Sequence, residues 1–441
     1  MPAGIRRVAV SLVFICVAAA LSTMSTALAF MLTMGGAGGP RVETASVLYA
    51  TTSDGQIKKV LDAGTRVAGG GVIADFGNPA IASDGSLIFG ALLQFDKRVE
   101  WRILRADSMD SSRGRIEELF KVAATMEGCR PLIKSDPRVA IGSDGSVVFV
   151  ASDERGRTTL FRVANGQLAC DLRAGERTVE GHVITNLGFG TAQVSDDGSV
   201  VLLASLAASS REAQSSDTRR AILLAGRGGI VKVVAREGDR APDGRNYGSD
   251  FGPPAIANGG TNLLVAFTNH DHLRSALFVG RPGHLTCGLI TGAETSAGPI
   301  TYLSNGRPSL AADGSVAFEG ASGERSMILD VRAGEAFLVA SEGDRIGNLH
   351  TITGLADPTL MRNGRVYVEA ADQALRNGAY SFSTSGGNSA ASSNAKLLSR
   401  DIDVFPSTLA VDRTRGLAFL SRSPDKSAAV TAIPADDGAS L

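Results

Sequence analysis

The chain is poor in the residues that usually announce chemistry. It has one tryptophan, five histidines and four cysteines in 441 residues, and aromatic residues make up 5%. It lacks charge of one sign: 44 Lys and Arg balance 45 Asp and Glu, for a net charge of −1. A balanced chain gives no electrostatic reason to bind nucleic acid or an anionic membrane surface. No Gly-x-Ser-x-Gly elbow, P-loop, dinucleotide fingerprint or CxxC zinc pair occurs. The sequence therefore names no catalytic residue, no metal and no cofactor. What it has in excess is glycine, 52 residues, against a usual share of about 7%. With a hydrophobic fraction of 44% and a charged fraction of 20%, the composition is that of a folded chain with many turns.

The beginning of the chain reads as a targeting segment. Arg6 and Arg7 precede an apolar run from Val8 to Leu21, and small residues lead to Ala27-Leu28-Ala29. A positive start, an apolar middle and an Ala-x-Ala end describe a secretory signal. The run Val8 to Met34 is also long enough to span a bilayer. Residues 1–29 are therefore assigned as a signal peptide or an uncleaved anchor, and residues 30–45, with Gly35 to Pro40, as a flexible linker. The expected location is periplasmic or extracellular, with membrane attachment only through residues 8–34. Cys16 lies in this segment, which leaves Cys129, Cys170 and Cys287. Three is an odd number, so at least one thiol has no partner within the chain. The simplest reading makes all three small buried hydrophobes.

The main signal is a repeat. PAIASDGSLIF at Pro79 returns as PRVAIGSDGSVVF at Pro137, AQVSDDGSVVLL at Ala192 and PAIANGGTNLLVAF at Pro254. It recurs as PSLAADGSVAF at Pro308, PTLMRNGRVYV at Pro358 and PSTLAVDRTRGLAF at Pro406. The turn glycines are Gly85, Gly145, Gly198, Gly260, Gly314, Gly364 and Gly416, spaced 60, 53, 62, 54, 50 and 52 residues apart. Asp-Gly and Asn-Gly pairs accept the positive φ of tight hairpins, and apolar β-formers flank each pair. A second unit of two strands around a glycine follows each hairpin, as in TTLFRVANGQLACDLRAG from Thr158. In the looser copy from Trp101 to Ala124, Ile116, Leu119, Phe120 and Ala123 also fall at helical spacing; the repeat favours strands there.

The repeated hairpin supplies strands A and B of a four-stranded blade, and the second unit supplies C and D. The chain begins with C–D, at residues 46–64, and ends with A–B, at residues 406–422. The expected fold is all-β, a seven-bladed β-propeller over residues 46–422, closed by N-terminal C–D strands pairing with C-terminal A–B strands. Residues 423–441 form a tail. Equivalent sites two blades apart exceed disulfide reach, so Cys170 and Cys287, each four residues after a glycine, should not be bonded.

The repeat resembles a family of exported bacterial tandem-repeat proteins with an Asn-x-x-Gly-x-x-Ala-Phe core and an upstream Glu-Gly-Asp. The segment closest to that pattern is Glu237-Gly238-Asp239, Pro242-Asp243-Gly244 and then Pro254 through Phe267; Glu342-Gly343-Asp344 is another match. The core asparagine is usually aspartate in this chain. The resemblance implies a β-propeller of undefined activity and brings no catalytic residue.

Candidate ligand residues follow from the expected blade layout. The A–B turns are tight, whereas the D–A connections are long, and binding residues favour loops on a rigid scaffold. The best cluster is Arg245, Tyr247 and Asp250, with His270 and His272 on the neighbouring B–C loop. His270-Asp271-His272 offers two imidazoles without a third ligand, and Glu-Gly-Asp lacks the spacing of a calcium loop, so both read as turns. The function expected is that of an exported noncatalytic binding or scaffold protein, its partner a protein or glycan of the cell envelope. An envelope-acting hydrolase or lyase on glycan or peptide is the alternative.

Overall fold

A computed structural model describes residues 46–422 except 52–56, 97, 108–114, 121–128, 208–217, 228, 260–261, 296–297, 347–349, 361–364, 374–376, 384–395, 398–409 and 413–415. These residues lie in one compact unit, Ala45–Leu441. The targeting segment, the linker, the tail and most of the polar stretch 383–394 fall outside the described residues.

The fold is an all-β propeller. Its described strands form seven sheets of four or five strands and one two-stranded ribbon, Glu294–Thr295 with Gly298–Pro299. Each large sheet is antiparallel, and six of them come from consecutive chain segments. The second sheet shows the plan. Its inner edge is Pro131–Leu132 and Ala140–Ile141, followed by Val147–Asp153, Thr158–Ala164 and Gln167–Arg173. The remaining sheet joins the two ends of the repeat region. Ser46–Thr51 pairs on one side with Ile57–Asp62 and on the other with Gly416–Arg422, which pairs with Ala410–Asp412. Leu48 stands opposite Leu420 in that register.

Turn chemistry explains the hairpins. Gly85, Gly145, Gly198 and Gly314 have φ of 82°, 75°, 81° and 87°, a conformation glycine adopts without a Cβ penalty. The aspartate before each acts as a brace. Asp84, Asp144, Asp197 and Asp313 accept, through Oδ1, the backbone N–H of Ser86, Ser146, Ser199 and Ser315 at 2.9, 3.0, 2.9 and 2.9 Å. At the second tight turn on the same end of the second sheet, Asn165 and Gly166 both have positive φ, 52° and 72°, as a type I′ hairpin requires.

The core lies between sheets. Six apolar clusters join consecutive sheets, from the joint sheet through the sixth. Phe89, Phe149, Phe267 and Phe318 recur at the same point of the second strand in four sheets, and each is at most 1% exposed. Burying such a side chain contributes about 1.5–3 kcal/mol. The strands of the first to fifth sheets are apolar on both faces because each of these sheets packs against a neighbour on both sides.

Two readings of the sequence are corrected. Cys129 and Cys170 are not separate buried hydrophobes: they form a disulfide, 41 residues apart. It ties the connection entering the second sheet to that sheet's outermost strand. The connection is long and irregular, so no periodic signal placed Cys129. Cys287 is free, and Cys170 and Cys287 do occupy equivalent sites, opposite Phe161 and Phe278. The helical spacing near residue 116 does not produce a helix over the described part: Ile116–Glu118 is a strand paired with Leu104–Ala106.

The head of the repeat unit marks a break: Pro79 follows one, and Pro137, Pro254, Pro308 and Pro358 lie within others. From the first sheet to the sixth, the inner strand is interrupted halfway. Gly77-Asn78 is skipped in the first, and 133–139, 188–192, 252–254, 304–308 and Asp357-Pro358 in the others. The inner strands of successive sheets touch one another, 140–141 with 193–194, 193–194 with 255–259, and 255–259 with 309–310. The breaks are therefore gathered at the centre.

Candidate functional site

The connection from the third sheet to the fourth illustrates how the Glu-Gly-Asp segment folds. Gly238, at φ 85°, donates its N–H to Tyr247 O at 2.9 Å, and Tyr247 N donates to Asp239 O at 2.9 Å. The carboxylates are held by their own turn. Glu237 accepts Arg220 N at 3.1 Å, and Asp239 pairs with Arg236 at 2.8 Å. Glu342-Gly343-Asp344 repeats the arrangement: Glu342 accepts Ser326 N at 3.0 Å, and Asp344 accepts Ser341 N at 2.8 Å. The motif is thus a turn, as its chemistry suggested. Asp243, one loop further, forms an ion pair at 2.8 Å with Arg274, and both side chains are buried, 8% and 3% exposed.

The sequence-predicted site residues separate into three environments. Tyr247 is 6% exposed. Its ring lies 5.1 Å from that of Phe278 and 5.7 Å from that of Phe251, in the apolar cluster between the third and fourth sheets. Burial raises its phenol above the ordinary range, and the Asp243 carboxylate adds to the shift. This side chain is core, because the turn folds it back onto the sheet. Arg245 and His272 are exposed on the surface. Arg245 helps hold Asp271 below the usual carboxylate range; burial there works the other way but is outweighed by hydrogen bonds from Leu273 and Arg274 and by the charges of Arg274 and Arg245.

Asp250 and His270 come together. They are direct cross-strand partners. His270 Nδ1 lies 2.7 Å from Ser275 Oγ. Burial pushes His270 below its ordinary value, against the opposing charge of Asp250, so the imidazole is neutral at pH 7. Asn269, fully buried beside it, fixes the loop. Its Oδ1 accepts Gly248 N at 2.8 Å, and its Nδ2 donates to Gly248 O and Asp250 O at 3.0 and 3.1 Å.

The fifth sheet completes the group. Asn305, in that sheet's inner-strand break, donates from Nδ2 to Asp250 Oδ1 at 3.0 Å. Tyr302 begins the same inner strand, half exposed, with its ring 6.3 Å from that of His270. A half-exposed aromatic ring therefore shares a face with an exposed carboxylate and carboxamide, while the His270 imidazole is enclosed behind them. Such a surface offers stacking together with directed donors and acceptors. Sequence reading missed Asn305 and Ser275. The residues preceding each repeat proline do not follow the repeat, and that irregularity was the available signal. Among the described residues no group of three or more His, Cys, Asp or Glu is arranged to hold a metal ion.

No family model and no curated protein matches this chain. Among solved structures it is similar to a fungal lectin of Aleuria aurantia, described as having a six-bladed β-propeller fold and a fucose recognition mode. The identity is 8%, over 70% of this chain and 92% of the lectin, with a TM-score of 0.35. It is also similar to the BP39L lectin from Burkholderia pseudomallei, at 10% identity over 79% of this chain and 94% of that one, TM-score 0.39. The polysaccharide lyase Uly1 aligns at 12% identity over 87% and 98%, TM-score 0.39. At these scores the fold rests on the strand order and pairing described above.

Proposed function

We propose that this chain is an exported, noncatalytic β-propeller of seven blades that binds a glycan at the face bearing Asp250, His270, Asn305 and Tyr302. The observation that carries the reading is the group itself: a half-exposed tyrosine ring beside His270, with the exposed Asp250 and Asn305 hydrogen-bonded to each other on the same face. Sugars present an apolar C–H face and a rim of hydroxyls, and this surface matches both. The seven-blade reading treats each large sheet as one blade, with the joint sheet as the clasp. Export is supported by the Arg6–Ala29 segment, and the Cys129–Cys170 bond suits an oxidising compartment. Membership of the exported bacterial repeat family stands on the Asp-Gly and Glu-Gly-Asp segments.

A hydrolase has one observation in its favour, the Ser275–His270 contact. It is disfavoured because burial and the sheet enclose the imidazole edge, where a reacting group must enter. The test is binding of the purified chain to a panel of immobilised neutral and acidic glycans. Tyr302→Ala and Asp250→Ala should each weaken the selected glycan roughly tenfold, with unchanged melting temperature. Ser275→Ala should leave the glycan uncut and its binding intact. Absence of any glycan binding, or binding indifferent to Tyr302, refutes the proposal.

A further inference from the structure

We infer that Cys170 is a thiol-exchange site: an external thiolate opens the Cys129–Cys170 bond by attacking the Cys170 sulfur, and Cys129 leaves as the thiolate. Such exchange depends on access to the attacked sulfur and on how readily the other sulfur carries negative charge. On both counts the two cysteines differ. Cys129 is 3% exposed, whereas Cys170 is only half-buried, next to the exposed Ala169 on the outermost strand of the second sheet. Arg173 Nη2 lies 2.9 Å from Cys129 Sγ, and a guanidinium beside a thiol favours its thiolate.

Other sheets secure the same position without a covalent bond. Cys170 stands opposite Phe161 just after a register shift, and Val233 of the third sheet stands opposite Leu223 in the same way. There the connection entering the sheet holds on by a hydrogen bond: Val233 N donates to Glu180 Oε1 at 3.2 Å. Cys287, the equivalent residue of the fourth sheet, is free. The fold therefore does not depend on a disulfide at this point, and the bond can open with the sheet intact. Arg173 also has a counterpart. Arg236 holds the same place in the third sheet, and its Nη2 donates to the Asp239 carboxylate at 2.8 Å. In the second sheet the guanidinium instead meets a sulfur that becomes an anion when the bond opens.

The step balances as an exchange. The incoming thiolate forms a new S–S bond to Cys170, the Cys129–Cys170 bond breaks, and its electron pair stays on the Cys129 sulfur beside Arg173. A second thiolate then attacks the mixed disulfide. It releases Cys170 as a thiolate that takes a proton from water, and the two incoming thiols leave as their own disulfide. The ligand class is therefore a thiol, carried by a small molecule or by a dithiol protein. Opening the bond frees the connection that leads into the inner strand Pro131–Leu132. This inference does not rest on the glycan reading at Asp250 and Tyr302, and either can fail alone.

The experiment treats the oxidised full chain with reduced glutathione in one arm and reduced thioredoxin in the other. Samples are quenched in acid, free thiols are blocked with N-ethylmaleimide, and peptides are mapped by mass spectrometry. Glutathione should be found on Cys170 and the maleimide on Cys129, in roughly tenfold excess over the reverse. In denaturant that preference should fall to near parity, because exposure and the Arg173 contact are both lost. The faster arm names the source of the thiol. Arg173→Met should slow opening roughly tenfold at constant pH, and Arg173→Lys, which keeps the charge, should restore part of the rate. The adduct ratio in the unsubstituted chain needs no variant to fold. Adducts divided evenly in the folded chain or favouring Cys129, opening as fast in a folded Arg173→Met chain, or a non-reducing map in which Cys129 and Cys170 are not joined overturns the site.

Discussion

The hairpin ends and the inner-strand breaks of this molecule are opposites. At the hairpin ends four sheets use the same device: an aspartate bonded to the backbone N–H two residues on, then a glycine with φ near 80°. In the breaks the sheets share little beyond the repeat proline, which lies in four of them as Pro137, Pro254, Pro308 and Pro358. One has Gly-Asn, another Gly-Phe-Gly-Thr-Ala, another Gly-Pro-Pro, another Ser-Asn-Gly-Arg-Pro. The identical elements solve the same problem, closing a β-hairpin, and any sheet that abandons the solution loses stability. The breaks leave the ladder and face the centre, so their residues are free of that constraint. Asp136, Arg138, Asn305 and Arg307 lie in breaks, whereas Asp250, His270 and Tyr302 lie on the strands beside them.

That comparison can be broken most severely at the clasp. Deleting residues 406–422 removes one of the two strands paired with Ser46–Thr51 and leaves only Ile57–Asp62. The exposed strand edge should then abolish the cooperative thermal transition or cause aggregation, seen by calorimetry and light scattering. A truncated chain that melts like the intact one would show that the uniform elements do not depend on the joint sheet.

The next largest effect sharpens the comparison, since it concerns a connection that carries stability rather than binding. Asp243→Ala leaves the buried Arg274 with only the more distant Asp271 carboxylate, at 3.8 Å, and should cost about 3 kcal/mol in chemical denaturation. Replacing both, Asp243→Leu with Arg274→Met, should recover most of that loss, because two apolar groups need no partner. Tyr247→Ala should cost a similar amount by opening the aromatic cluster. If Tyr247→Ala instead left stability intact, the residue would return to the list of ligand contacts.

The smallest effect belongs to the hairpin ends. Asp84→Ala should cost about 0.5–1.5 kcal/mol and leave binding untouched. The same aspartates predict a pH dependence. Burial raises Asp84 and Asp197, but hydrogen bonds from neighbouring serines outweigh it, with help from Arg105 at Asp84; Asp313 is lowered first by its bond from Ser315. Their values in the fold lie below those in the unfolded chain, so their contribution is fully present above about pH 4. It is lost as pH falls through the folded values. Melting temperature should be flat near neutrality and decline below about pH 4, with a shallower decline in Asp84→Ala.

The sequence by itself determined the all-β propeller and its recurring hairpins, because turn chemistry and strand patterning are local and repeat. It placed Glu-Gly-Asp in turns for the same reason. It listed Asp250 and His270 among five candidate residues, on different loops, without pairing them. It misplaced Tyr247, since a tyrosine in a polar loop looks identical whether it turns outward or, as here, back against Phe251 and Phe278. Only the tertiary structure decided the remainder. Cys129 meets Cys170 across 41 residues, Asn305 meets Asp250 across 55, and Arg307 meets Gly190 across 117. Such contacts depend on how successive sheets are set around the centre, and that arrangement follows from side chains packed between sheets, for which no local pattern in the chain gives the register.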